Sequence, residues 1–147
     1  MIRPAKHEDV PRIIELGHLL HQTSSYARMN FDPEKAARFI TSLIDGVGVV
    51  FVAEVSGVVV GGIAGGVTEQ WFSNDLLAYD YSFFIDPAAR SSITATRLML
   101  TFIEWSRIKG AKNIQMGITT GMHVEGTAEF YRSMGFVDAG LFFNKEL

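Results

Sequence analysis

The stretch FFIDPAARSSITATRLML, residues 83–100, holds the side chains best suited to bind an anion. It changes from strand-like to helix-like chemistry through a turn without glycine, and Ser91, Ser92 and Thr94 stand where the helix begins. The first N–H groups of a helix are unpaired and carry partial positive charge, and Arg90 adds a cation just ahead of them. The junction is therefore a candidate phosphate site, although an ordinary serine-capped helix has the same local sequence.

Two common phosphate-binding motifs are absent. No G-x-G-x-x-G follows a predicted strand, and no G-x-x-x-x-G-K-[ST] occurs in the chain. Dinucleotide sites and P-loops need these glycines because their backbone must approach the phosphates closely. The anion site predicted here belongs to neither class.

Asp80 is the candidate catalytic base. It lies in a predicted central strand, Leu76 to Asp86, where small polar side chains alternate with large apolar ones. A small polar face on a central strand indicates a cleft, and an aspartate there could take a proton from a nucleophile, directly or through water. A structural aspartate remains an alternative, as do Glu69, Glu125 and Glu129 as the base. The large face is predicted to comprise Leu77, Tyr79, Tyr81, Phe83 and Ile85, and the small face Ala78, Asp80 and Ser82.

Ordinary pKa values limit the role of Asp80 if the nucleophile is an amine. The aspartate value of about 3.9 lies about 6.5 units below that of a lysine-type amine, so direct proton transfer is uphill by about 9 kcal/mol. For an α-amino group near 7.8 the difference is about 4 units, or about 5 kcal/mol. A raised pKa, a relay through water or a substrate that binds neutral is therefore required.

Composition excludes several other functions. With 147 residues, 48% of them hydrophobic, the chain fits one domain over residues 1–147, and its net charge of −3 predicts no nucleic-acid partner. The absence of cysteine excludes disulfides, thiolate metal sites and a catalytic thiol. No apolar run approaches the roughly 18 residues of a membrane span, and no signal peptide is recognisable. We expect a cytoplasmic protein without a metal; His18 and His21 share a helix face but favour substrate contact.

The elements that would position these residues form a mixed sheet. Asp9 to His21 has helical spacing, Asp32 and Pro33 begin a second helix, and Ser56-Gly57 separates two β-branched runs as in a hairpin. The strand at Leu76 to Asp86 is followed by three further elements and a last strand. They are a helix from Ser92 to Lys109, a strand at 112–118, a helix from Gly126 to Met134 and the C-terminal strand LFFNKEL. The order β-α-α-β-β-β-α-β-α-β predicts an α/β fold with a parallel βαβ crossover and helices on both sides of the sheet.

Several segments resemble the GCN5-related N-acetyltransferase (GNAT) superfamily. The run from Arg90 to Leu98 is similar to its acyl-CoA signature, Q/R-x-x-G-x-G/A followed by leucine; Arg90, Ala95 and Leu98 match, and Ile93 replaces the usual glycine. FFIDP, EWSRIKGAKNIQMGITTG and TAEFYRSMGF extend the resemblance, the last to the tyrosine-bearing segment of the family. The family's usual asparagine near this tyrosine helix is missing.

The resemblance implies acetyl-CoA as the acyl donor. Backbone groups near the end of the central strand would pair with the pantetheine arm, and N–H groups of the following helix would hold the pyrophosphate. Because Ile93 leaves those backbone donors in place, we expect binding to survive. The cofactor-binding residues so implied are Phe84, Ile85, Asp86, Arg90, Ser91, Ser92, Ile93, Thr94, Ala95 and Thr96.

Tyr131 is the second candidate catalytic residue by the same resemblance. A phenol with a pKa near 10 can protonate a departing thiolate whose acid has a pKa near 8.5. The predicted activity is transfer of an acetyl group to a primary amine in a ternary complex, because no cysteine can form an acyl-enzyme. A small metabolite, an antibiotic or a peptide would each fit as acceptor. The alternative is a non-catalytic acyl-CoA-binding or regulatory module, and a homodimer remains open.

Overall fold

The computed structural model describes all 147 residues. The strands are β1 (Ile2–Pro4), β2 (Val49–Val55), β3 (Val58–Glu69), β4 (Leu76–Ile85) and β5 (Ala111–Gln115). The helices are α1 (Val10–Thr23), α2 (Pro33–Ser42), α3 (Ser92–Ile108) and α4 (Val124–Ser133). The strands form one sheet in the order β1-β2-β3-β4-β5, antiparallel except for the parallel pair of β4 and β5.

Helices cover both faces of this sheet. Ile13 and Leu16 of α1 join one buried cluster with side chains of β2, β3 and β4. Leu98 and Phe102 of α3 join a second cluster on the opposite face. The predicted α/β fold, a mixed sheet between helices, is confirmed. No helix combines the length and the apolar character needed to cross a bilayer.

Local chemistry sets the helix start and the hairpin much as predicted. The Asp32 carboxylate accepts the N–H groups of Glu34 and Lys35, each at 3.1 Å, and so caps α2. Ser56 and Gly57 both have positive φ, 51° and 80°, as a two-residue hairpin turn of matching twist requires. These features depend only on neighbouring residues, so the sequence predicts them.

The parallel pairing of β4 with β5 is short. It runs from Leu76 opposite Ala111 to Tyr79 opposite Gln115, with α3 as the crossover helix. Beyond Tyr79 no strand lies beside this edge of β4. The backbone of β4 therefore faces a gap in the sheet.

A β-bulge corrects the predicted alternation of β4. Ser82 lies opposite Ala64 and Asp80 opposite Gly65, so Tyr81 has no partner on β3. Such an extra residue reverses which face later side chains occupy. Ala78 and Phe83 consequently pack with the same cluster under α3, whereas Phe84 joins the cluster under α1. The single apolar face predicted from Leu77 to Ile85 was wrong.

The predicted C-terminal strand is also absent. The chain after α4 forms no strand, and the Leu141 and Phe143 side chains are 85% and 83% exposed. β5 ends the sheet without a further neighbour. An apolar run shows that a segment can be buried, but a strand also needs a partner for its backbone hydrogen bonds.

Gly65 permits the close packing of α3 on the sheet. A Cβ atom at this position would lie 2.5 Å from Cε1 of Phe102 and 2.5 Å from the carbonyl oxygen of Tyr79. Phe102 is fully buried, and the oxygen belongs to the adjacent strand, so neither can move freely. Glycine is required here because of the close approach.

We predict that Gly65→Ala lowers the free energy of unfolding by about 3 kcal/mol, since overpacking a filled core forces a backbone shift. Urea denaturation of the purified protein measures this change. Gly140→Ala is the matched control, because nothing lies within 4 Å of the added atom; it should change the value by less than about 0.5 kcal/mol. Equal values for the two variants would contradict the packing argument.

Candidate functional site

A cavity of about 750 Å³ lies along the free edge of β4. Its wall includes the end of β4, the start of α3, α4, the end of α1 and the loop after β5. Both candidate catalytic residues and six of the ten candidate cofactor residues line it. They are Asp80, Tyr131, Phe84, Ile85, Arg90, Ser91, Ser92 and Ala95.

The backbone of β4 offers hydrogen-bonding groups to this cavity. The Asp86 N–H donates to the Val60 carbonyl at 2.7 Å, so this residue faces β3. Because backbone groups alternate sides along a strand, those of Phe84 also face β3, whereas those of Phe83 and Ile85 face the cavity. Phe83 was not among the predicted cofactor residues. It is identified by the alternation of backbone groups along the strand, counted back from Asp86.

Asp86, one of the predicted cofactor residues, forms contacts within the chain. Its carboxylate forms an ion pair with Arg12 at 2.9 Å and accepts the Ala88 N–H at 3.0 Å. The guanidinium of Arg12 also donates to the Val59 carbonyl at 3.0 Å. Asp86 therefore joins α1 to the end of β4, and neither its N–H nor its carboxylate is free for a ligand.

The N-terminus of α3 keeps unpaired donors. The Ser91 hydroxyl accepts the Thr94 N–H at 3.4 Å, which leaves the N–H groups of Ser92 and Ile93 without helical partners. Arg90 is exposed at the cavity wall and makes no ion pair within the protein. The Ile93 side chain is 63% exposed and does not line the cavity. Thr94 and Thr96 do not line the cavity either. The isoleucine that replaces glycine therefore does not fill the cavity.

Asp80 is the only carboxylate in the cavity wall. Partial burial raises its pKa to about 6, and the N–H groups of Asp80 itself and of Gly117 limit the increase. Glu69, Glu125 and Glu129, the other predicted bases, do not line the cavity. An aspartate with this pKa is a far better proton acceptor than an ordinary one.

Tyr131 lies on α4 with 8% of its surface exposed. Burial raises its pKa above the ordinary value, and the negative charge of Asp80 raises it further. Its ring contacts Phe130 and Phe136, with centroids 6.0 Å and 5.7 Å away. Tyr131 therefore holds its proton at physiological pH in the same cavity as Asp80.

The chain between α1 and α2 forms a wall that sequence reasoning largely missed. Ser25 donates from its N–H to the Thr120 carbonyl at 2.7 Å and from its hydroxyl to the Thr119 carbonyl at 2.8 Å. These bonds tie the connection to the loop after β5, and they place Tyr26 and Phe31 in the cavity wall. In this region the sequence predicted substrate contact only for His18 and His21. His21 lines the cavity, and His18 does not.

His123, just before α4, has φ 46° and ψ 40°. A non-glycine residue in this left-handed region is uncommon and occurs often at functional sites. His123 lines the main cavity and an adjoining one of about 250 Å³. Trp71 and Phe72, in contrast, are exposed and outside both cavities, and so are Arg97 and Lys109.

We predict a pH-dependent effect of Asp80→Asn on stability. The pKa of Asp80 rises from 3.8 to about 6 on folding. Folding therefore favours its protonated form, and the stability associated with protonation is lost as pH rises from about 4 through about 6. A shift of this size corresponds to about 3 kcal/mol.

At pH 8, Asp80→Asn should raise the free energy of unfolding by about 3 kcal/mol relative to the wild type, and at pH 4 it should have little effect. Urea denaturation at both values tests this. Asp75→Asn, at an exposed carboxylate just before β4, is the control and should change stability by less than about 0.5 kcal/mol. An effect of Asp80→Asn that is the same at pH 4 and pH 8 would show that burial does not shift this carboxyl.

Three solved structures illustrate the fold similarity. An acetyltransferase from Trypanosoma brucei is 19% identical, with a TM-score of 0.75 over 100% of this chain and 99% of that one. An aminoglycoside acetyltransferase from an uncultured soil metagenomic sample, in complex with sisomicin, is 23% identical, with a TM-score of 0.73 over 100% and 95%. A transcriptional regulator from Bacillus halodurans C-125 is 18% identical, with a TM-score of 0.81 over 100% and 99%. At these identities the similarity shows a shared fold.

The family is shown by the sequence itself. No curated protein matches this chain. The model of the acetyltransferase (GNAT) domain matches residues 46–138, which is well over half of the chain and includes β4, α3 and α4. Together with the βαβ unit and its open strand edge, this match shows that the chain belongs to the GNAT family of acetyltransferases.

Proposed function

We propose that the protein transfers the acetyl group of acetyl-CoA to a primary amine by direct attack. The observation that carries this proposal is the position of Asp80 and Tyr131 in one cavity with the free edge of β4 and the N-terminus of α3. The cavity thus contains a proton acceptor, a proton donor and backbone groups for a cofactor.

The residues present fit acetyl-CoA. The backbone groups of Phe83 and Ile85 would pair with the amides of the pantetheine arm, and the N–H groups of Ser92 and Ile93 would bind phosphate, with Arg90 as counter-ion. Bound acetyl-CoA supplies an acetyl group activated as a thioester. Because this recognition uses backbone groups, isoleucine at position 93 would leave the phosphate donors in place.

Asp80 takes a proton from the attacking amine. With its pKa at about 6, the difference from a lysine-type amine is about 4.4 units, or about 6 kcal/mol. For an α-amino group it is about 1.8 units, or about 2.4 kcal/mol. An acceptor of low basicity, or one that binds neutral, is therefore favoured without a water relay.

Tyr131 gives a proton to the leaving sulfur as the carbon–sulfur bond breaks and the amide bond forms. Its raised pKa makes the phenol a weaker acid before the reaction begins, and part of the increase in pKa comes from the charge of Asp80. When Asp80 accepts the amine proton, that charge disappears and Tyr131 releases its own proton more easily. Proton return from Asp80 to Tyr131 through solvent restores the starting state.

We predict saturable one-site binding of acetyl-CoA in isothermal titration. Arg90→Ala should weaken binding about tenfold or more, because a charge-assisted contact to phosphate is lost. Ile93→Gly should change Kd less than about threefold, since the side chain is outside the cavity wall. Arg97→Ala, at an exposed arginine outside the wall, is the control. Absence of binding up to millimolar acetyl-CoA would refute the proposed cofactor site.

Tyr131→Phe should lower kcat by roughly 10²- to 10⁴-fold while leaving the Kd of acetyl-CoA unchanged, because only the proton donor is removed. Thiol release in the presence of an amine measures kcat. The matched control is Tyr79→Phe, whose hydroxyl bonds to Tyr81 and lies outside the cavity. An unchanged kcat would remove Tyr131 from the mechanism. If the wild type bound acetyl-CoA without any amine-dependent thiol release, the protein would be a binding module instead.

A further inference from the structure

The cavity offers one position for a cationic group. Asp80 is its only carboxylate, although the chain has 16 acidic residues. Asp86 lines the adjoining smaller cavity, but its charge is compensated by Arg12 at 2.9 Å. A second ammonium group in this space would find no free anionic partner.

The positively charged side chains of the wall strengthen this restriction. Arg90, assigned above to the cofactor phosphate, lines the cavity at the start of α3 and offers an ammonium group no partner. His21 and His123 also line it and add no carboxylate. A ligand with several ammonium groups would lose hydration around each and find an anionic side chain for only one.

Aromatic rings form much of the remaining wall, and several are already held in place. Phe31 stacks on His18 with ring centroids 4.6 Å apart and 3° between the planes. Tyr81 meets Phe39 edge to face at 4.7 Å. Tyr26 and Phe130 complete this aromatic surface. Rings held by neighbouring rings lose little further freedom when a ligand binds.

We infer that the amine acceptor is a monoamine with an aromatic or largely apolar body, and that polyamines, aminoglycosides and lysine-rich peptides are poor acceptors. The inference rests on the acetyl transfer proposed above and specifies its substrate class. The single amino group lies at Asp80, and the body packs against the aromatic surface of Tyr26, Phe31, Tyr81 and Phe130. The amine nitrogen bonds to the acetyl carbon as the carbon–sulfur bond breaks. Its proton goes to Asp80, and CoA leaves as the thiol with a proton from Tyr131.

The test compares matched amines by kcat/KM, measured as thiol release from acetyl-CoA. The reference probe is 2-phenylethylamine. Ethylamine lacks its ring, and 4-(2-aminoethyl)benzylamine carries a second ammonium group on the same ring. Kanamycin, spermidine and a lysine-rich peptide represent the polycations. We expect 2-phenylethylamine to exceed each of the others by about tenfold or more.

Binding is measured separately from turnover by titrating 2-phenylethylamine into the protein with desulfo-CoA. Saturable amine binding without thiol release from acetyl-CoA would support the acceptor class and refute acetyl transfer. Faster thiol release with kanamycin, spermidine, the peptide or the diamine would refute the acceptor class and leave acetyl transfer intact. Absence of 2-phenylethylamine binding would also refute the acceptor class.

Phe31→Ala tests the aromatic surface directly. The ratio of kcat/KM for 2-phenylethylamine over ethylamine should fall about tenfold, because only the first amine loses a packing partner. Phe31→Leu keeps an apolar side chain and should give an intermediate ratio even if the alanine variant folds poorly. Phe72→Ala, at an exposed phenylalanine outside both cavities, is the control. An unchanged ratio in both Phe31 variants would exclude this surface from acceptor recognition.

Discussion

The candidate site depends on the point at which β4 and β5 stop pairing. Their ladder ends at Tyr79 and Gln115, and the next residues of β4 present backbone groups to a cavity instead of to a strand. Buried backbone groups require hydrogen-bond partners. An interrupted parallel pair therefore leaves backbone donors and acceptors that water or an extended ligand can satisfy. The crossover helix α3 starts at the same end of β4, which brings its unpaired N–H groups to the mouth of the gap.

The bulge at Tyr81 and the burial of α4 then determine the chemistry. Because the bulge reverses the faces of β4, Ala78 and Phe83 pack on the same side of the sheet although they are five residues apart. Burial raises the pKa values of both Asp80 and Tyr131. At neutral pH only the shift of Asp80 costs stability, because Tyr131 keeps its proton in the folded and the unfolded chain. The charge of Asp80 raises the pKa of Tyr131, so the protonation states of the two groups are linked.

Features that rest on neighbouring residues could be predicted from the sequence. The Asp32 cap, the Ser56-Gly57 turn and the βαβ order follow from local chemistry and periodicity. The bulge could not be predicted, because it depends on how β4 aligns with β3. The ion pair of Asp86 with Arg12 could not be predicted either, because the two residues are 74 positions apart in the sequence. The cavity wall between α1 and α2 could not be predicted for the same reason, because Ser25 bonds to Thr119 across 94 residues.

Recognition by main-chain groups constrains conformation more than side-chain identity. At the start of α3, a backbone that keeps its first N–H groups free can present them whatever side chains point to solvent, and Ile93 with its exposed side chain is an example. The side chain at such a position can change without altering the donors. The side chains at Gly65 and Phe102, in contrast, are restricted by close contact between them. The loop can therefore diverge from the family's glycine pattern while its geometry persists, and the aromatic side chains of the cavity wall can change independently of it.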